Sequence, residues 1–290
     1  MSTASADDYY IPGPTHWPIV GSIGLTTTVV GFARFLHGAE ITMMLLGIAI
    51  VIFMIYGWFG QVINESIDGR YNKQVDMSFR WGMGWFIFSE VMFFAAFFGA
   101  LFYARMYAIP WLGGASNNDA TAWLLWPDFE ATWPLIAVPM AENFEVAKQA
   151  MGAWGLPALN TAILLTSGLT VTLAHHALKR QDRVWLVYWL FATVFLGFLF
   201  VGLQALEYSH AYSELNLRLD SGIYGSTFYM LTGFHGFHVT MGAVMLTVIL
   251  IRAMKGHFTP ENHFGFEAVA WYWHFVDVVW LGLFIFVYWI

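Results

Sequence analysis

The chain has 290 residues, of which 59% are hydrophobic and 11% charged, with 12 Lys and Arg against 19 Asp and Glu for a formal charge of −7; its mean hydropathy is +0.60. About a quarter of the residues of a soluble domain are charged, so this chain cannot cover an ordinary water-facing surface, which excludes a cytosolic enzyme. Its few basic residues also exclude a nucleic-acid binder. The absence of cysteine removes any disulfide framework, thiolate nucleophile, iron–sulfur cluster or Cys-based zinc site.

A bilayer core is crossed by about 20 apolar residues, and seven such stretches occur, at about 18–36, 40–62, 82–106, 157–177, 184–207, 224–251 and 268–290. An all-α membrane protein follows. Residues 1–16 lack Lys, Arg and a short apolar core, so no cleaved signal peptide is expected, only a short acidic tail. Lys and Arg are retained on the cytoplasmic side. Arg70, Lys73, Arg80, Lys179, Arg180, Arg183, Arg252 and Lys255 fall on the N-terminal side, against Arg34, Arg105, Lys148 and Arg218 opposite. With an odd number of spans, the N-terminus is therefore expected inside, in the cytoplasm, and the C-terminus outside, in the periplasm.

The longest connection, about 107–156, is rich in Trp, Pro, Gly and acids (Asp119, Asp128, Glu130, Glu142, Glu145) and is expected outside. Within it, EVAKQAMGAW (145–154) admits a short surface helix. No internal repeat is visible. In the sixth span Gly225, Gly233, Gly236 and Gly242 favour close helix packing. Trp271, Tyr272, Trp273 and Trp289 supply interfacial anchors for the seventh.

A charge buried in lipid costs at least a few kcal/mol, so each ionisable group within a span needs a reason. Arg34, Glu40, Arg105 and Glu207 lie within about a turn of a span end, where they are expected to reach the headgroups. Glu90 and Asp277 lie deeper, roughly 12–14 Å from the inner ends at 1.5 Å per residue. Glu90 is read either as a carboxylic acid placed for proton handling or as a group that holds a helix contact. For Asp277 packing is the favoured reading, because His274 sits one turn earlier on the same face.

Two histidines that hold a heme must come from facing helices at one depth. His238 at roughly 20 Å and His274 at roughly 9 Å do not match, and His175 and His176 lie near the surface. His235, His238 and His274 are therefore read as inter-helix polar contacts, with no metal. At the inner rim Glu65, Arg80, Lys179, Arg180, Arg252, Lys255, His257, His263 and Glu267 mix cations with hydrogen-bonding groups, a composition that suits anionic lipid headgroups or a merely solvated positive face.

Five segments together resemble a known family: RWGMGWFIFSEVMFFAAFF (80–98), NTAILLTSGLTVTLAHHAL (160–178), LQALEY (203–208), GIYGSTFYMLTGFHGFHVTMG (222–242) and NHFGFEAVAWYWHFVDVVWLGLF (262–284). They look like subunit III of cytochrome c oxidase, of the heme–copper oxidase superfamily, and GQVINES (60–66) adds a weaker likeness. The resemblance implies seven helices in two bundles, I–II and III–VII, around a V-shaped lipid-filled cleft, with a division between residues 1–66 and 67–290. It puts the family's reactive membrane carboxylate on Glu90, and lipid-headgroup contacts on Glu65, Arg252, Lys255, His263 and Glu267. A headgroup histidine of mitochondrial relatives is Asn262 here. It further implies no heme or copper in this chain and no catalytic residue, the redox centres lying in partner subunits. Subunit I is the main partner and subunit II lies within the complex. Phospholipids are bound, and cytochrome c acts on a complex that reduces oxygen and pumps protons. The expected location is a bacterial inner membrane in preference to a mitochondrial one. The corresponding subunit of a quinol oxidase usually has five helices, so the first two spans favour the cytochrome c branch. A seven-helix receptor would have its N-terminus outside, a retinal protein needs a lysine in its last span, and a transporter should show repeats or broken helices.

Overall fold

Pro18 stands in the first turn of α1 (Trp17–Leu36), where its missing N–H costs nothing. A short turn leads to α2 (Thr42–Ile67). The computed structural model describes residues 9–139, 141–143 and 145–290; residues 1–8 of the expected acidic tail and the side chain of Glu142 lie outside them. Helix α3 spans Lys73–Tyr103 and continues through a π-helical turn (Ala104–Ala108) into α4 (Ile109–Leu112). Then come α5 (Leu156–Lys179), α6 (Arg183–Ser213), α7 (Ile223–Met254) and α8 (Phe264–Leu283), the last extended by a π-helical segment to Trp289. Among the described residues every regular element is helical, and seven of the resulting spans are long and apolar enough to cross a membrane.

Several span ends differ from the sequence reading, the start of α3 most, by nine residues. Helix α3 begins nine residues before residue 82, because Asn72 Oδ1 accepts the N–H of Val75 (3.0 Å) and Asp76 pairs with Arg80 one turn on (2.8 Å). The charges that end the apolar window thus stabilise the helix. Helix α6 runs six residues past Glu207. The segment 145–154 forms no helix. Its backbone is tied elsewhere: Lys148 N–H donates to the Leu215 carbonyl (2.8 Å), Asn216 to that of Val146 (3.0 Å), and Met151 N–H to the Tyr224 hydroxyl (3.1 Å).

The chain divides into two compact units, Met1–Trp81 and Gly82–Ile290. In the first, α1 and α2 form a hairpin in which a side chain at Gly47 would collide with the backbone of Thr28. Backbones that approach so closely gain van der Waals contact that lipid cannot match. In the second, α5, α6, α7 and α8 form a closed ring in which each helix meets the next and α5 meets α8. Trp273, fully buried, centres it by donating to Ser167 Oγ (2.9 Å). Trp280, also fully buried, donates to Thr161 Oγ1 (2.9 Å) and meets the Phe200 ring edge-on.

Candidate functional site

Glu90 lies seventeen residues into α3 and His238 sixteen residues before the end of α7. At 1.5 Å per residue both are roughly 25 Å from the ends that begin α3 and close α7, so they meet. Glu90 Oε2 is 2.9 Å from His238 Nε2. The sequence reading set them at different depths because it started α3 too late. His238 Nδ1 lies 2.6 Å from the Phe234 carbonyl, to which it must donate. A neutral imidazole then presents a bare Nε2, so the Glu90–His238 contact is made by one proton, carried by either partner. The rings of Phe93, Phe94 and Tyr272 surround the imidazole. This is a polar contact between two helices in an apolar setting.

Asp277, on α8, is buried against Gly168 of α5, where any side chain would run into its carboxylate. His274 Nδ1 stands 3.7 Å from that carboxylate, while its Nε2 is 3.3 Å from Thr172 Oγ1 on α5. His235 donates from Nε2 to the Val276 carbonyl (3.2 Å), joining α7 to α8. These three groups act at helix contacts.

Glu207 corrects the sequence reading. It is 1% exposed, deep in the bundle, rather than at the headgroups. The Tyr288 hydroxyl donates to its Oε1 (2.7 Å), and the second oxygen and both amide atoms of Gln204 are buried without a hydrogen-bond partner. A signal was present: Gln204, Glu207 and Tyr208, spaced i, i+3 and i+4, put three polar groups on one face of an otherwise apolar helix.

The rim residues fall into separate groups. In the first unit Glu65 is buried, accepting from Gln61 Nε2 (2.9 Å) and from the Tyr71 hydroxyl (2.8 Å). Burial, and then the Glu65 carboxylate, push the Tyr71 phenol above its ordinary range. In the second unit the Arg252 guanidinium lies 4.5 Å over the Phe258 ring, with its Nε buried and lacking a hydrogen-bond partner. Lys255 is exposed one turn on. Arg183 caps α7 by donating to the Met254 carbonyl. Between them and α8, His257 is held below the usual imidazole range by desolvation and then by the charges of Arg252 and Lys255.

His263 precedes the first turn of α8 and Glu267 lies within it, where a carboxylate complements the helix dipole. His175 reaches them from α5. Glu267 Oε1 is 3.4 Å from His263 Nε2 and 3.6 Å from His175 Nε2. The sequence reading grouped His175 with His176 at the surface and did not join it to the other two.

A family described as cytochrome c oxidase subunit III matches residues 7–118 and 126–290. The chain is 39% identical to cytochrome c oxidase subunit 3 of Marchantia polymorpha, with 100% of this chain and 98% of that protein covered. It is 41% identical to the subunit 3 of Drosophila yakuba, covering 100% and 99%, and 40% identical to that of Gadus morhua, covering 99% and 98%.

Proposed function

Given that the chain belongs to the cytochrome c oxidase subunit III family, we propose that it serves as a non-redox core subunit of an oxidase that reduces oxygen and pumps protons. The match over its whole length carries this reading. Its place is the inner membrane of a bacterium, N-terminus in the cytoplasm, packed on subunit I with subunit II in the same complex. Cytochrome c delivers electrons to the complex, and the hemes and copper lie in the partners. The lack of cysteine supports that division, as do His235 and His238, whose ring nitrogens face the Val276 carbonyl, the Phe234 carbonyl and Glu90. Seven spans instead of five support the cytochrome c branch over a quinol oxidase. Residues 67–290 act as the helical body of the subunit, with 1–66 as its two-helix addition.

The Glu90–His238 pair supports a part in proton uptake, because its single proton passes between the partners without a rearrangement of the helices. Asp277, His274 and His235 hold α5, α7 and α8 in register, which keeps the lipid-facing surface and the route for oxygen in place. Phospholipid headgroups bind at the rim. In the second unit Arg252 and Lys255 take the phosphate, and His263 and Glu267 accept polar groups of the same lipid. In the first, Glu65 contributes a separate contact. The half-buried Arg252 guanidinium, with an unspent buried donor, supports this assignment, since anionic headgroups favour basic pockets between helix ends.

The experiment is lipid counting by mass spectrometry on the purified complex. Arg252→Ala with Lys255→Ala should lower co-purified phospholipid while heme content stays constant. An unchanged lipid count removes the headgroup assignment.

A further inference from the structure

His175, His263 and Glu267 each offer one ligand atom, and these atoms lie within 4.8 Å of one another. We propose that they form a binding site for a divalent transition-metal cation of the zinc class, joining α5 to the start of α8. The donor set is two imidazoles and a carboxylate, which suits zinc, and three protein ligands leave a fourth position for another donor.

Both carboxylate–imidazole spacings fit such an ion, and the two imidazole nitrogens, within 4.8 Å of each other, close further around it when it binds. With metal–ligand bonds of about 2.1 Å, tetrahedral ligand atoms stand about 3.4 Å apart. Glu267 Oε1 lies 3.4 Å from His263 Nε2 and 3.6 Å from His175 Nε2, and neither nitrogen makes a hydrogen bond. The His263 side chain is 8% exposed, so its bare nitrogen is aimed into the cluster and not into solvent. His263 Nδ1 donates to the Thr259 carbonyl (3.1 Å), leaving the Nε2 lone pair pointing at the cluster. Metal-bound histidines are held by such an outer hydrogen bond, which sets the tautomer and the ring orientation. An anion fits less well, because it would face the Glu267 carboxylate at close range.

The site shares His263 and Glu267 with the headgroup assignment, and a phosphate oxygen is a suitable fourth ligand. It does not rest on that assignment, because His175 stands outside the headgroup set. Zinc and phospholipid can therefore be counted separately. The purified complex is stripped with a chelator and dialysed against zinc, and bound zinc is determined by mass spectrometry together with heme and phospholipid. His175→Gln should bind one zinc fewer per complex, with heme unchanged; Arg252→Ala should keep its zinc. Equal zinc in wild type and His175→Gln overturns the proposal, as does a loss of phospholipid from His175→Gln with zinc unchanged. Should His175→Gln fail to assemble, anomalous diffraction at the zinc edge on the zinc-soaked wild-type complex decides. A peak between the three side chains supports the site, and its absence there overturns it.

Discussion

Helices α2 and α8 are alike in being long and apolar, α2 the more apolar of the two, yet about 6% of the α2 span is buried within the protein against 50% of α8. In α1 and α2 the buried residues are glycines and Glu65, whereas α8 buries Trp273, Trp280, Asp277 and seven further side chains. Lipid tails are as apolar as leucine, so hydrophobicity does not pull helices together in a membrane. The first unit is held by close backbone approach at Gly47 and by the hydrogen bond from Trp17 on α1 to Gln61 on α2. The second is held by a packed aromatic core with polar groups enclosed in it. Apolarity decides that a helix enters the membrane, and small residues and buried polar groups decide what it packs against.

The largest effect that separates the two units is expected from their tryptophans. Trp273→Ala removes a fully buried ring and its hydrogen bond to Ser167, and should cost about 3–5 kcal/mol, read as a lower melting temperature of the purified complex. Trp17→Ala in the first unit loses a half-buried ring and one hydrogen bond to Gln61 (3.1 Å), and should cost about 1 kcal/mol. Equal losses would break the contrast. A smaller effect is expected at the contact of α3 with α7. Glu90→Gln and His238→Gln, alone and combined, should be non-additive by about 1 kcal/mol in the same melts, because either change removes the shared proton. Strict additivity would show that the two side chains act independently.

The smallest effects are pH slopes of opposite sign. Tyr71, next to Glu65, is raised from its usual value of 10.0, so the unfolded chain loses its proton first and stability falls as pH rises past about 10. His257, beside Arg252 and Lys255, is lowered from 6.5. The unfolded chain takes up its proton first, and stability falls as pH drops below about 6.5. Melting temperatures against pH should show that Tyr71→Phe flattens only the alkaline loss and His257→Gln only the acidic one; a variant that alters neither slope would contradict the assigned cause.

The seven spans were legible because an uninterrupted apolar run of about 20 residues has few other uses. Their ends were less so. At α3 the Asp76–Arg80 pair looks like a loop in hydropathy but is one helical turn in space, and at α6 an acid taken as a terminus lies inside the bundle. The late start given to α3 is also why Glu90 was singled out while its partner His238 was placed at another depth. The rim chemistry was legible by residue type. The grouping of His175 with His263 and Glu267 depends on α5 meeting α8, a tertiary fact with no local signal. The 145–154 segment failed for the same reason, since its hydrogen-bond partners lie some 70 residues away.

The central claim, that this subunit supports redox chemistry without hosting it, is tested most directly by purifying the oxidase with and without this chain and determining heme, copper and phospholipid per subunit I. The account predicts equal heme and copper in both preparations and fewer phospholipids where the chain is missing. A stoichiometric loss of heme or copper with the chain would contradict it.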